Sequence, residues 1–224
     1  MRISSWPPME RPREKLLASG ASSLSDVELL AVFLQTGIKG KTALEVATDL
    51  LLNFGSLSSL ISANYKELCS QSGVGVAKAA SLAAMKELSL RQMMEGLKSR
   101  DILTSSAATR DYLRARFKSC ESEVFSCLFL NNQHHVMELE ELFRGTIDGA
   151  AVYPREVVKR ALYHNAAAVI FAHNHPSGDA TPSNTDIRQT KELLGQAKCL
   201  GVTLIDHLVV GRRRVISMRE SRLL

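Results

Sequence analysis

The segment His173-Asn174-His175-Pro176-Ser177-Gly178, followed by Pro182, Ser183 and Asp186, gathers residue types that bind transition metals. In an extended chain, residues two apart point to the same side, so His173 and His175 share a face. Pro176 keeps His175 extended. Ser177, Gly178 and Pro182 turn the chain back. Ser183 and Asp186 then open a helix whose first turn can face a carboxylate toward the two imidazoles. Two imidazole nitrogens and one carboxylate oxygen make a three-ligand set, which leaves zinc a fourth position for water. Water held in this way ionises near neutral pH. The expectation is a catalytic metal site of His173, His175 and Asp186 with zinc as its cofactor.

The same residues have simpler uses. Ser183-x-x-Asp186 also reads as a helix cap, with an acid in the first turn favoured by the helix dipole. Capping and ligation are compatible, because a carboxylate has two oxygens. A His-x-His pair alone would suit an exposed strand end. Other zinc signatures are missing: there is no His-Glu-x-x-His and no Pro-Cys-x-x-Cys after the histidines. Gly-x-Ser-x-Gly is also missing, which argues against Ser183 as a nucleophile.

The elements that must position this segment follow from patterning. Ala167 to Phe171 reads as a buried strand leading into His173, and a helix runs from Ser183 to about Leu200. Val124–Leu130 and Val136–Phe143 read as strands around an Asn131-Asn132 turn. Pro154 suits the first turn of a helix reaching about His164. Val202–Val210 and Arg214–Met218 complete the strands, and strands alternating with helices predict an α/β layered domain. Upstream the pattern is helical. A capping box at Ser25 and Glu28 starts one helix, Thr42 starts a second that ends near Gly55, and a short third covers Tyr65 to Cys69. After Gly73-Val74-Gly75 a long helix runs from Val76 toward Met94, and Glu95 to Ser106 reads as a linker. The predicted division is a helical domain over 1–98, a linker over 99–106 and an α/β domain over 107–224.

His-x-His, seven residues, Ser, two residues, Asp resembles the JAMM (MPN-plus) zinc metalloprotease motif. The longer string His173 to Gly178, with Gly145-Thr146, Pro154-Arg155-Glu156 and Asp206-His207, resembles the bacterial RadC-like family, as do Arg11 to Leu17 and Leu24 to Ala31. The resemblance implies a JAMM/MPN-like mixed sheet flanked by helices, beside a small all-α, helix-hairpin-helix-like N-terminal domain. It implies zinc on His173, His175 and Asp186, with Ser183 donating a hydrogen bond to the oxyanion of the tetrahedral intermediate. It also implies an acid leading an upstream strand as proton carrier. Glu123 occupies that place, and Glu156 is the rival. The implied activity is a metallopeptidase (hydrolase) cleaving a peptide or isopeptide bond of a protein or peptide substrate. Family association with DNA repair gives the alternative: a DNA-associated repair or recombination factor whose zinc domain is structural or docks partners.

Gly73, Gly75 and Lys78 resemble a helix-hairpin-helix turn, where backbone amides and one lysine can meet a phosphate. That makes them candidates for a weak DNA contact independent of base sequence, or simply a turn between packed helices. A metal-dependent nuclease would need phosphate-positioning cations near the metal; Arg188 and Lys191 are available but unremarkable. The remaining histidines read as surface or core residues. His134 and His135 are expected in solvent, His164 at a helix end, and His207 in core packing or behind the metal ligands. The chain has 224 residues, about one and a half domains, with 45% hydrophobic and 23% charged residues, a balance that excludes disorder. Net charge +5 is spread evenly, +3 over residues 1–100 (12 Lys and Arg against 9 Asp and Glu) and +2 over the rest (16 against 14). Apolar runs such as Ala166–Ala172 are too short for a membrane span. Four scattered cysteines suit a reducing cytoplasm. The expectation is a cytoplasmic protein with no membrane contact; the residues leave its oligomeric state open.

Overall fold

The computed structural model describes residues 6–102, 106–145 and 152–224. They form two compact units, 1–88 and 89–224.

The first unit is helical: α1 (Pro12–Ser19), α2 (Asp26–Leu34), α3 (Ala43–Phe54), α4 (Leu57–Ser62), α5 (Tyr65–Cys69) and the start of α6 (Val76–Lys98). Its helix starts are local chemistry. Ser25 with Glu28, Thr42 with Glu45 and Asn64 with Glu67 each form a reciprocal capping box. Leu30, Leu34, Val46, Leu50, Leu60, Leu68 and Leu82 fill one core. Gly73 turns the chain into α6 with φ +88°, a left-handed conformation, and a Cβ there would stand 3.1 Å from both methyls of Val46.

In the second unit α6 does not stop near Met94 but continues to Lys98, and Leu90, Leu97 and Ile102 are buried in this unit's core. It goes on through α7 (Ser106–Phe117), β1 (Val124–Leu130), β2 (Val136–Arg144), α8 (Pro154–Tyr163), β3 (Ala168–Asn174), α9 (Asn184–Cys199), β4 (Thr203–Val210) and β5 (Val215–Ser217). The strands make one mixed sheet in the order β2-β1-β3-β4-β5. Only β3 and β4 pair in parallel, joined across α9. This is the expected α/β layering. Side-chain alternation divides the sheet's faces. Leu128, Leu130, Ile170, Leu208 and Val210 pack with Leu113 and Phe117 of α7 on one side. Phe125, Cys127, Phe129, Val169 and Phe171 pack with Val157 of α8 and Leu193 of α9 on the other. Period two continues the second set to His173, which sits inside β3 and is buried, directly after the apolar run ends at Ala172.

One irregularity matters for function. Val169 pairs with Leu204, but Ile170 pairs with Asp206, so Ile205 is an extra residue in β4. The bulge reverses the strand's facing. Leu204 and, three residues later, His207 therefore lie on the α9 side, and His207 sits beside Phe125 and Phe171 at ring-centroid distances of 5.5 and 5.9 Å.

Candidate metal centre

β3 delivers His173 and the chain just beyond it delivers His175. α9 delivers Asp186, and its start is fixed by a capping box: Ser183 Oγ accepts from the Asp186 N–H at 3.1 Å, and Asp186 Oδ2 accepts from the Ser183 N–H at 2.7 Å. The three side chains converge. Nε2 of His173 and Nε2 of His175 are 3.0 Å apart. Asp186 Oδ1 lies 3.5 Å from the first and Oδ2 lies 3.4 Å from the second. Among the described residues these three form a group able to hold a metal ion.

The donor set fits a metal on two counts. Tetrahedral zinc with bonds of about 2.0–2.1 Å separates neighbouring ligand atoms by about 3.3 Å; the two nitrogens are 3.0 Å apart, each lies 3.5 or 3.4 Å from a different oxygen of Asp186, and one ligand atom from each residue falls within 4.8 Å of the others. Chemistry agrees with geometry. Nδ1 of His175 is 2.8 Å from the carbonyl oxygen of Asp179, which can only accept, so the ring carries its proton there and turns a bare Nε2 toward the cluster. In the neutral ring this sets a lone pair and a carboxylate facing one another, an arrangement that suits a cation between them, either a proton or a metal ion. Electrostatics match. Burial pushes the Asp186 carboxyl up, but His173, His175 and Ser183 outweigh it and hold it well below the usual carboxylate range. The Asp186 carboxylate raises His175 above its ordinary value, against partial burial and with help from the Asp179 carbonyl and the Glu123 charge.

Ser183 is exposed at the mouth of the cluster, and its oxygen is used as an acceptor, which leaves the hydroxyl proton free to donate. Glu123 leads β1 on the face of Phe125, the residue paired with His173. Its main-chain carbonyl accepts from the Gly145 N–H at 2.8 Å. Its carboxylate makes no hydrogen bond or ion pair among the described residues, yet its charge reaches His175. Asn174 holds the strand start in place: its Oδ1 accepts from the Val124 N–H at 2.8 Å, and its Nδ2 donates to the Ser122 carbonyl at 3.1 Å. Glu156 lies in the first turn of α8, 3.6 Å from Lys159.

Gly73 and Gly75 lie before α6 as expected, and Lys78 faces inward. Its ammonium donates to the carbonyls of Thr36 (2.6 Å) and Gly73 (2.9 Å). His134 and His135 are half-buried rather than solvated. His164 ends α8, as its helix-end reading requires, and is also bound to Glu140 at 2.8 Å and stacked on Phe129. Thr146 of the Gly145-Thr146 string lies outside the described residues.

Two further residues lie behind the cluster, and neither stands out in the sequence as part of it. His207, given first to core packing, places Nε2 2.8 Å from Nδ1 of His173. Thr190, not singled out, places Oγ1 2.6 Å from Nδ1 of His207. The available signal for Thr190 was its position one helical turn after Asp186.

Comparison with known proteins agrees with this architecture. Residues 103–223 match the RadC-like JAB domain family, and residues 3–80 match the UPF0758 N-terminal family. A UPF0758 protein of Nitrosococcus oceani is 52% identical over 224 residues, covering all of both chains. One from Cellvibrio japonicus is 53% identical over 220 residues, 98% of each, and one from Nitrosomonas eutropha is 51% identical over 224, again all of both. No helix among the described residues is long and apolar enough to cross a membrane. With most of its length matched by these two families and full-length relatives above half identity, the chain belongs to the UPF0758 proteins, which carry a RadC-like JAB domain.

Proposed function

We propose that the second unit is a zinc-dependent hydrolase of peptide or isopeptide bonds. The observation that carries this reading is the convergence of the His173 and His175 Nε2 atoms and the Asp186 carboxylate within 3.0–3.5 Å contacts. A zinc ion held by these residues would supply a Lewis acid and a solvent molecule that ionises near neutral pH.

The chain's own groups supply the rest. The unpaired Glu123 carboxylate takes a proton from the attacking water and passes it to the leaving amine. Water's oxygen becomes bonded to the carbonyl carbon, the C–N bond breaks, and acid and amine are released. The Ser183 hydroxyl donates to the oxygen that turns anionic as the carbon becomes tetrahedral. Glu156, tied to Lys159 in the first turn of α8, is the weaker candidate for the proton carrier.

Metal analysis of the purified chain should find zinc in the wild type and none in Asp186→Ala. Glu123→Gln should retain zinc and lose turnover, read by comparing protein fragments in wild-type and Asp186→Ala cells and then assaying the substrates found. Wild-type turnover by Glu123→Gln would remove that residue from the mechanism. A wild-type chain without metal affinity would remove the hydrolase.

A further inference from the structure

His207 and Thr190 stand behind the cluster in full burial, and neither is a ligand. Their hydrogen atoms can be placed by elimination. Thr190 Oγ1 lies 2.6 Å from the main-chain oxygen of Asp186. A carbonyl oxygen only accepts, so it takes the single hydroxyl proton. The same Oγ1 lies 2.6 Å from Nδ1 of His207. With its proton already committed, that oxygen can only accept, so Nδ1 of His207 carries hydrogen. A doubly protonated ring is disfavoured in a fully buried site, which leaves Nε2 of His207 bare. That atom is 2.8 Å from Nδ1 of His173, which must then be the donor. His173 is left with a bare Nε2, aimed at His175 and Asp186.

The geometry points to Thr190 and His207 as positioning residues that fix the ring tautomer and orientation of His173 for metal binding. One directional series runs from the Asp186 carbonyl through Thr190 and His207 to the ligating nitrogen of His173. It links two ligand-bearing elements, α9 and β3, through β4. The arrangement needs the extra residue at Ile205, since without that bulge position 207 would face the opposite core. Phe125 and Phe171 contact the His207 ring edge-on and hold its plane. An imidazole that donates through Nδ1 is also a stronger base at Nε2, so the series strengthens the ligand it orients.

This inference rests on the metal-binding reading, but its first test does not. Long-range proton–nitrogen spectra of the full, zinc-free chain with labelled histidines should show His207 protonated on Nδ1 and bare on Nε2. A proton on Nε2 of His207 would overturn the proposal, whether or not zinc binds. The second test is zinc affinity. Thr190→Val keeps the shape and removes the hydroxyl, and it should weaken zinc binding about tenfold or more. Thr190→Ser should restore it. In Thr190→Val the His207 and His173 tautomers should also redistribute, which loss of packing alone would not cause. Wild-type zinc affinity and unchanged tautomers in a folded Thr190→Val chain would overturn the proposal. If the wild type binds no zinc, the metal reading fails and the His207 spectrum still decides the proton order.

Discussion

Nε2 of His173 and Nε2 of His175 stand 3.0 Å apart at the end of a buried strand, with the Asp186 carboxylate 3.4–3.5 Å from both. With a carboxylate facing two imidazole nitrogens, the cluster has the donor set for one positive charge, a proton on His175 or a metal ion in its place.

Asp186 serves the cluster and the α9 cap at once, and substitutions should separate these uses. Asp186→Asn keeps an oxygen for the Ser183 N–H, while Asp186→Ala removes both functions. Both should lose zinc affinity by at least about a hundredfold, beyond the usual loss for outer partners. Both lose the charge at the helix start, and only the alanine should also lose the hydrogen bond to the Ser183 N–H, about 0.5–1.5 kcal/mol of stability. Urea unfolding of the zinc-free variants checks the difference. Equal stability would mean that the cap contributes nothing.

Protons and metal compete for the same atoms, which sets the pH dependence. His175 is raised in the folded chain by Asp186. In the zinc-free protein its contribution to stability is therefore full below about 6.5, the ordinary histidine value, and is lost as pH rises through the raised value. Zinc affinity runs the other way. It should rise with pH and level off once pH passes the raised His175 value. Affinity measured from about pH 6 to about 9 checks this, and a flat profile would place a different ligand at the metal.

Ser126 is fully buried on β1, and its Oγ has no hydrogen-bond partner among the described residues. An unsatisfied buried hydroxyl costs about 1–3 kcal/mol. Ser126→Ala should therefore leave the fold as stable as the wild type or more stable, by up to about 1 kcal/mol once the lost volume is counted. A clear fall in melting temperature would show that the hydroxyl is satisfied in solution.

Lys78 is expected to behave as a structural residue. Its ammonium joins the Thr36 and Gly73 carbonyls, 42 and 5 residues away in sequence. Lys78→Ala should destabilise the first unit by about 1–2 kcal/mol. Any salt-sensitive DNA binding by the chain should change little. Unaltered stability with lost DNA binding would return Lys78 to the nucleic-acid reading.

Most of this was legible where the determining interactions are short in sequence. The capping boxes at Ser25, Thr42 and Ser183, and Pro154 opening α8, are set by residues three or fewer apart, and period two alone put His173 and His175 on one face. What depended on distant pairing was not legible. The bulge at Ile205 exists only because β3 and β4 pair out of step, so His207 read as core packing first. Thr190 gained its meaning from His207, 17 residues later. Lys78 reads as a phosphate contact because its partner Thr36 lies three helices earlier in the chain. Serine-rich α4 gave no apolar period, although Leu60 is fully buried in the core.

The most direct test is a zinc titration of the purified, chelator-treated chain, followed by calorimetry and by metal analysis of the dialysed product. The account predicts one zinc per chain, bound by the wild type and lost in His173→Ala, His175→Ala and Asp186→Asn, each of which still folds. A wild-type chain that takes up no zinc, or three variants that bind it as the wild type does, would contradict it.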